Sequence, residues 1–246
     1  NYTNSGTDNM SAYECVNYIR GQYFKTLSPD MHSEGVKCLR ESVKNDPNYK
    51  EAWQLLAHMI AWGYSVYVPF LQPIPFEGLE EAERAIDQAI FIDKDFARAY
   101  ATRAELAFYE KNWEQMINYA KRAYNLAPLD AATVGHLSYI VTQSGHGCLS
   151  SKEIKKKFNI DKKACERLEW GGELGAIANK LDAVSSLSFD NYGLMSYYRE
   201  KGDWEKVLLF MEAVPSPDFH WWNYKMGMAN HHLGNKEKAK SYFKII

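Results

Sequence analysis

Histidine and cysteine are the side chains of this chain with metal-binding chemistry, and their spacing argues against a metal site. His146 and Cys148 sit one residue apart and Cys165 lies further on, without the paired spacing of a zinc set. His231 and His232 are adjacent. Neighbouring side chains on a helix point about 100° apart, so the two do not easily share one ion. Hydrogen-bonded or solvated histidines are the expected state. The sequence also has no H-E-x-x-H, no G-x-S-x-G and no Gly-rich phosphate loop ahead of a helix. The expectation is a chain that is not an enzyme and uses no cofactor and no metal.

The four cysteines, Cys15, Cys38, Cys148 and Cys165, are too few for a fold built on disulfides. Cys15 and Cys38 fall on the two antiparallel helices expected of a first hairpin, at roughly matched heights. Cys148 and Cys165 flank a lysine-rich stretch. Spacing leaves both pairs open: bridges in an oxidising compartment, or buried thiols.

The elements that position these residues are helical. Polar residues 1–9 read as a linker. Helices are predicted over Ser11–Thr26, up to Asn45 before Asp46-Pro47, and over Glu51–Trp62, where Trp53, Leu56, Ala57 and Ile60 share one face. Further helices are expected over Glu77–Ile92, Phe96–Glu110, Trp113–Leu126, Ala131–Ser144, 172–184, Asn191–Lys201, Trp204–Ala213, Phe219–Leu233 and Lys236–Ile246. Gly145 reads as a left-handed cap, and Asn112 and Asp203 as N-caps ahead of Trp113 and Trp204. No alternating apolar run predicts a strand.

The chain has 246 residues, a net charge of −2, 46% hydrophobic, 24% charged and 14% aromatic residues. These values suit a folded helical protein with rings to spare for packing or binding. The charge balance argues against a nucleic-acid partner held through phosphates. No apolar run reaches the roughly 18 residues of a membrane span, and no signal-peptide pattern occurs. An Asn at position 1 is read as the mark of a processed protein or a fragment, and the apolar Ile245-Ile246 ending as truncation or a terminus that packs on something.

One pattern returns about every 34 residues. Ala52-Trp53 with Leu56-Ala57 is echoed by Ala99-Tyr100 with Ala104. Leu39, Ser42 and Pro47 are echoed by Ala82, Ile86 and Ala89, then by Met116, Ala120, Ala123 and Pro128; Gly227, Gly234, Ala239 and Phe243 fit the last hairpin. On these residues the chain resembles a tetratricopeptide repeat (TPR) protein. The resemblance implies an all-α fold: a right-handed α-α superhelix of antiparallel helix hairpins, about five to six repeats. It would form a single solenoid domain over residues 10–246, with insertions at 63–77 and 146–170. Arg103, Asn223 and Asn230 replace apolar consensus residues.

A narrower resemblance rests on Ala12-Tyr13-Glu-Cys-Val-Asn-Tyr-Ile19-Arg20-Gly21, on Asp46-Pro47-Asn48-Tyr49 with Ala52-Trp53, and on Met195-Ser-Tyr-Tyr-Arg199-x-x-Gly202-Asp203-Trp204. These look like the C-terminal repeat region of bacterial regulators that carry a class III nucleotidyl cyclase or a winged-helix domain, often with a membrane helix between. It implies a transcriptional-regulator- or adenylate-cyclase-associated signalling module. Its compartment is left open between the cytoplasm and the periplasmic side of a membrane-anchored regulator.

In such an array the first helix of each hairpin lines the concave side. Helical periodicity turns Gln54 and His58, then Arg98, Glu105 and Phe108, then Tyr139 and Thr142, then Tyr192 and Arg199, then Trp221, Tyr224, Met228 and His231 toward that groove. Aromatic and polar groups together suit a protein or peptide partner. The alternatives are a small-molecule-sensing solenoid and a homodimer formed through the apolar loop residues Tyr67, Phe70, Leu71 and Phe76 or through the Ile245-Ile246 end. The stretch Lys152–Lys163 holds six lysines against two acids, read as a solvated face or a contact patch for an acidic partner or anionic surface.

Overall fold

Apolar residues at helical spacing close into thirteen α-helices and one π-helical turn, with no strand among the described residues. The computed structural model describes residues 10–23, 29–66, 77–182, 188–213, 215–217 and 219–245. The expected all-α class is met. No described helix is long and apolar enough to cross a membrane. Contacts divide the chain into two compact units that meet in sequence at Ala127 and Pro128.

The first unit contains α1 (Met10–Tyr18), the π turn Ile19–Tyr23, α2 (Pro29–Asn45), α3 (Lys50–Val66), α4 (Glu77–Ile92), α5 (Ala97–Tyr109) and α6 (Trp113–Leu126). α2 stops just before Asp46-Pro47, as the restriction on residues preceding proline requires. Helices α3 and α4 pack as a hairpin, α5 and α6 as the next, and α3 also reaches α5. The small residues Ala52, Ala57, Ala82, Ala89, Ala99, Ala104, Ala120 and Ala123 are fully buried. Only a methyl fits where two helix backbones cross closely. Leu56, Met59, Trp62, Ile86 and Met116 fill the wider gaps, each burial contributing about 1.5–3 kcal/mol.

The first helices are tied to the turns before them in a repeating way. Trp53 Nε1 donates to the Pro47 carbonyl at 2.8 Å, and the Tyr100 hydroxyl donates to the Lys94 carbonyl at 3.0 Å. Each reaches back six residues. The turn between α5 and α6 places Lys111 at φ 59°, and the Asn112 side chain then accepts from Gln115 N at 3.2 Å. Arg103 is half-buried and pairs with Asp87 at 2.9 Å.

The second unit contains α7 (Ala131–Ser144), α8 (Lys152–Lys157), α9 (Ala164–Leu181), α10 (Ser188–Lys201), α11 (Trp204–Ala213), α12 (His220–His232) and α13 (Lys236–Phe243). α7 packs against both α9 and α10. The approach is close at Gly193, where an added Cβ would stand 2.5 Å from the Tyr139 backbone nitrogen. α12 and α13 meet at Gly227, whose missing side chain leaves room for the Phe243 ring. The fully buried Ser138 hydroxyl donates to the Gly171 carbonyl at 2.8 Å, fixing α7 to α9.

Several local expectations are corrected. Gly145 has φ −93°, so it is not a left-handed cap. It is small because a Cβ there would stand 2.6 Å from the Ala164 carbonyl oxygen. α9 begins at Ala164, eight residues ahead of the expected 172, because Ala164 and Leu168 pack with Cys148 in a small core. Asn223 and Asn230 are buried, and their amide nitrogens donate to the Pro217 carbonyl at 2.6 Å and the Met226 carbonyl at 2.9 Å. Asn223 thus repeats the six-residue reach of Trp53 and Tyr100.

Both cysteine pairs that the sequence left open are bridged. Cys15–Cys38 joins α1 to α2 across a Cα separation of 6.1 Å, and Cys148–Cys165 joins the loop after α7 to α9 across 5.0 Å. Both separations lie in the range a disulfide needs.

Candidate functional site

In the first unit, Gln54, His58 and Glu105 lie in a buried polar ladder between α3 and α5. Gln54 and His58 are one helical turn apart on α3, and they meet Thr102 and Glu105 on α5. Gln54 Nε2 donates to the Thr102 hydroxyl at 3.0 Å. His58 Nδ1 lies 2.7 Å from a Glu105 carboxylate oxygen, and the Tyr109 hydroxyl donates to the other oxygen at 3.1 Å. Thr102 and Glu105 are fully buried. A carboxylate out of water requires such donors, because an unpaired buried charge costs several kcal/mol, on the order of 3–5 when a partner is removed. The nearby His32 ring bonds the Met59 carbonyl at 2.7 Å, and burial lowers its pKa, with the charge of His58 adding to the effect. Arg98 and Phe108 are half-buried, with the Phe108 ring between Tyr109 at 5.3 Å and Trp113 at 6.0 Å.

The second unit brings more of the expected residues onto one set of helices. Tyr139 on α7 meets Tyr192 on α10 edge to face, with ring centres 6.5 Å apart. Across α12, the Lys225 ammonium lies over the Tyr192 ring at 4.0 Å. Trp221 on α12 contacts Tyr224 edge-on at 5.7 Å, and the Tyr224 ring approaches Phe243 at 6.3 Å. Thr142 and Tyr192 are buried, Tyr139, Arg199, Trp221 and Met228 are half-buried, and Tyr224 and His231 are exposed.

Lys225 was not anticipated. The signal was present: it follows Trp221 by four residues and precedes Met228 by three, so it shares their helix face. No ion pair to an acid holds its ammonium among the described residues; the Tyr192 ring is its near contact. Burial lowers its pKa well below the ordinary lysine value, and the positive charge of Arg199 lowers it further. Burial likewise raises the Tyr192 phenol, with Tyr139 adding to the effect.

Arg199 closes the other end of this face. It donates to a Glu200 carboxylate oxygen at 3.3 Å and reaches His146 Nδ1 at 3.3 Å. His146 in turn lies 2.5 Å from Glu200, and the Gly147 amide donates to Glu200 at 3.1 Å. Burial pushes the Glu200 carboxyl up, but the hydrogen bonds and charges of His146, Gly147 and Arg199 prevail and hold it below its usual range. His146 is therefore held within this cluster by Glu200 and Arg199. His232 is stacked on Trp204 at 4.0 Å, nearly parallel, and its edge meets His231.

Two surface pockets of the first unit lie away from the expected groove residues. One, of about 460 Å³, is lined by Arg40, Trp53, Leu56 and Glu81 among others; the second, of about 150 Å³, by Glu83, Arg103 and Glu110. The loop residues Tyr67, Phe70, Leu71 and Phe76 lie outside the described residues. Neither a protein-family model nor a curated protein matches this sequence. The site is thus read from its own geometry.

Proposed function

We propose that the chain is a non-catalytic TPR-like solenoid that binds a protein or peptide through the inner faces of its first helices. The observation that carries this reading is the face made by Tyr139, Tyr192 and Lys225 on three different helices of the second unit. Rings held edge to face present rigid apolar area at low entropic cost, with half-buried Tyr139 packed on the buried Tyr192 ring. Such a surface suits an extended or helical peptide. The six-residue ties of Trp53, Tyr100 and Asn223 support the equivalence of α3, α5 and α12 as first helices of a repeat. We further read the chain as the regulatory part of a larger bacterial signalling protein, on the resemblance of its opening and late hairpins.

Selection of phage-displayed random peptides on the immobilised chain tests the binding role. Enriched peptides are expected to lose at least tenfold in affinity on Tyr139→Ala or Trp221→Ala, the loss of one anchor ring of about 1.4 kcal/mol or more. Absence of enrichment, or full affinity for both variants, would remove this surface from the proposal.

A further inference from the structure

The segment between α7 and α9 joins two properties that the groove does not use. Leu149, Ile154 and Phe158 are 54%, 44% and 66% exposed, far more than large apolar side chains in a packed helical core. Ile154 and Phe158 are four residues apart and so lie on one face of the α8 turn and its exit. Around them stand Lys152, Lys155, Lys156, Lys157, Lys162 and Lys163. None of these ammonium groups pairs with an acid among the described residues. Of the two acids in the stretch, Asp161 is taken by Arg167, which holds both its oxygens at 3.1 and 2.5 Å.

The base of this projection is anchored. The Cys148–Cys165 bridge closes it, and Ile160 packs on the small core of Cys148, Ala164 and Leu168. Buried Arg167 also donates to the Ser144 carbonyl at 2.8 Å, so the segment is fastened to α7 and α9 together. The apolar tip is therefore presented outward; its own interior is already filled by Ile160.

We infer that residues 149–163 form a docking surface for a bilayer containing anionic lipid. Charge complementarity selects the occupant: each lysine near such a surface strengthens the attraction. The three exposed apolar side chains select a bilayer over a nucleic acid, since they gain free energy by entering the boundary between headgroups and acyl chains. The net charge of the whole chain is −2, so the attraction belongs to this patch and not to the molecule at large. The surface is separate from the Tyr139–Tyr192–Lys225 face and does not rest on the peptide-binding reading.

Flotation of the full chain with vesicles of phosphatidylcholine, with and without a minority of phosphatidylglycerol, tests the inference. Binding is expected only with the anionic lipid and is expected to weaken as salt rises. Charge reversal at Lys155, Lys156 and Lys157 to Glu should lower partitioning by about a hundredfold or more. Ile154→Ser with Phe158→Ser should leave far-UV circular dichroism unchanged and still lower partitioning by at least tenfold. Equal binding to neutral vesicles, no binding to either, or anionic binding that survives both sets of substitutions would overturn it. So would tighter retention on polyglutamate or DNA than on the vesicles.

Discussion

The Lys225 ammonium nitrogen lies 4.0 Å from the centre of the Tyr192 ring, in a place where burial and Arg199 both disfavour its charge. Its folded pKa is lowered, so the unfolded chain binds this proton more tightly. Stability is then reduced as pH falls from the unfolded lysine value of about 10.4 toward the folded one. Lys225→Met should be more stable than the parent at pH 7, and the gap should close above about pH 10.5. Urea unfolding of both proteins across that range is the measurement. A gap that does not change with pH would show that the amine carries no such penalty.

Glu105 is fully buried and accepts from His58 and Tyr109. Glu105→Ala should cost about 3 kcal/mol or more, because it removes a buried carboxylate that both His58 and Tyr109 contact. Gln54→Leu should cost less, about 1 kcal/mol, since it breaks one neutral bond to Thr102. Denaturant midpoints at constant slope would rank the two. Reversal of that order would mean that the carboxylate is not what fastens α3 to α5.

Lys111, Gly202 and Gly234 occupy equivalent turns at φ 59°, 75° and 82°. Lysine is the strained choice at this backbone conformation. Lys111→Gly should stabilise the first unit by about 1 kcal/mol, and Gly202→Ala should destabilise the second by about the same amount. The Gly202 exchange touches no packed side chain, since an added Cβ there meets nothing within 4 Å. Thermal unfolding of each variant reads the backbone effect directly.

The bridges close loops of 23 and 17 residues. Each should contribute about 3 kcal/mol by restricting the unfolded chain. Thiol titration of the denatured, unreduced protein should find no free cysteine. Reduction should lower the unfolding midpoint, and Cys148→Ser with Cys165→Ser should reproduce only the second unit's share. Four titratable thiols in protein prepared under oxidising conditions would contradict the pairing.

Much of the local architecture was legible in the residue pattern. The small slots Ala52, Ala57, Ala99 and Ala104 and the caps Asn112 and Asp203 announced themselves. A close helix crossing admits few side chains, and a new helix needs an oxygen acceptor; Asp203 does accept from Lys206 N at 3.2 Å. Asn223 looked like a defect because the apolar consensus suggests packing. Its role depends on a carbonyl six residues back being left in reach, which a linear pattern does not display.

The groove residues divide on the same physical ground. Helical periodicity set which side of α3 and α5 carries Gln54, His58 and Glu105, and periodicity is a property of sequence. Whether that side meets solvent or another helix depends on how closely neighbouring helices approach, and α3 and α5 close on these residues to make a buried ladder. Lys225 shows the converse. Its charge is evident in the sequence, but the Tyr192 ring beneath it and Arg199 beyond it come from a different helix, α10. Composition and spacing by themselves determined an all-helical chain with small residues at its crossings. The pairing of the cysteines, the burial of the polar ladder and the surroundings of Lys225 were decided by tertiary packing, because each depends on distances between residues that are remote along the chain.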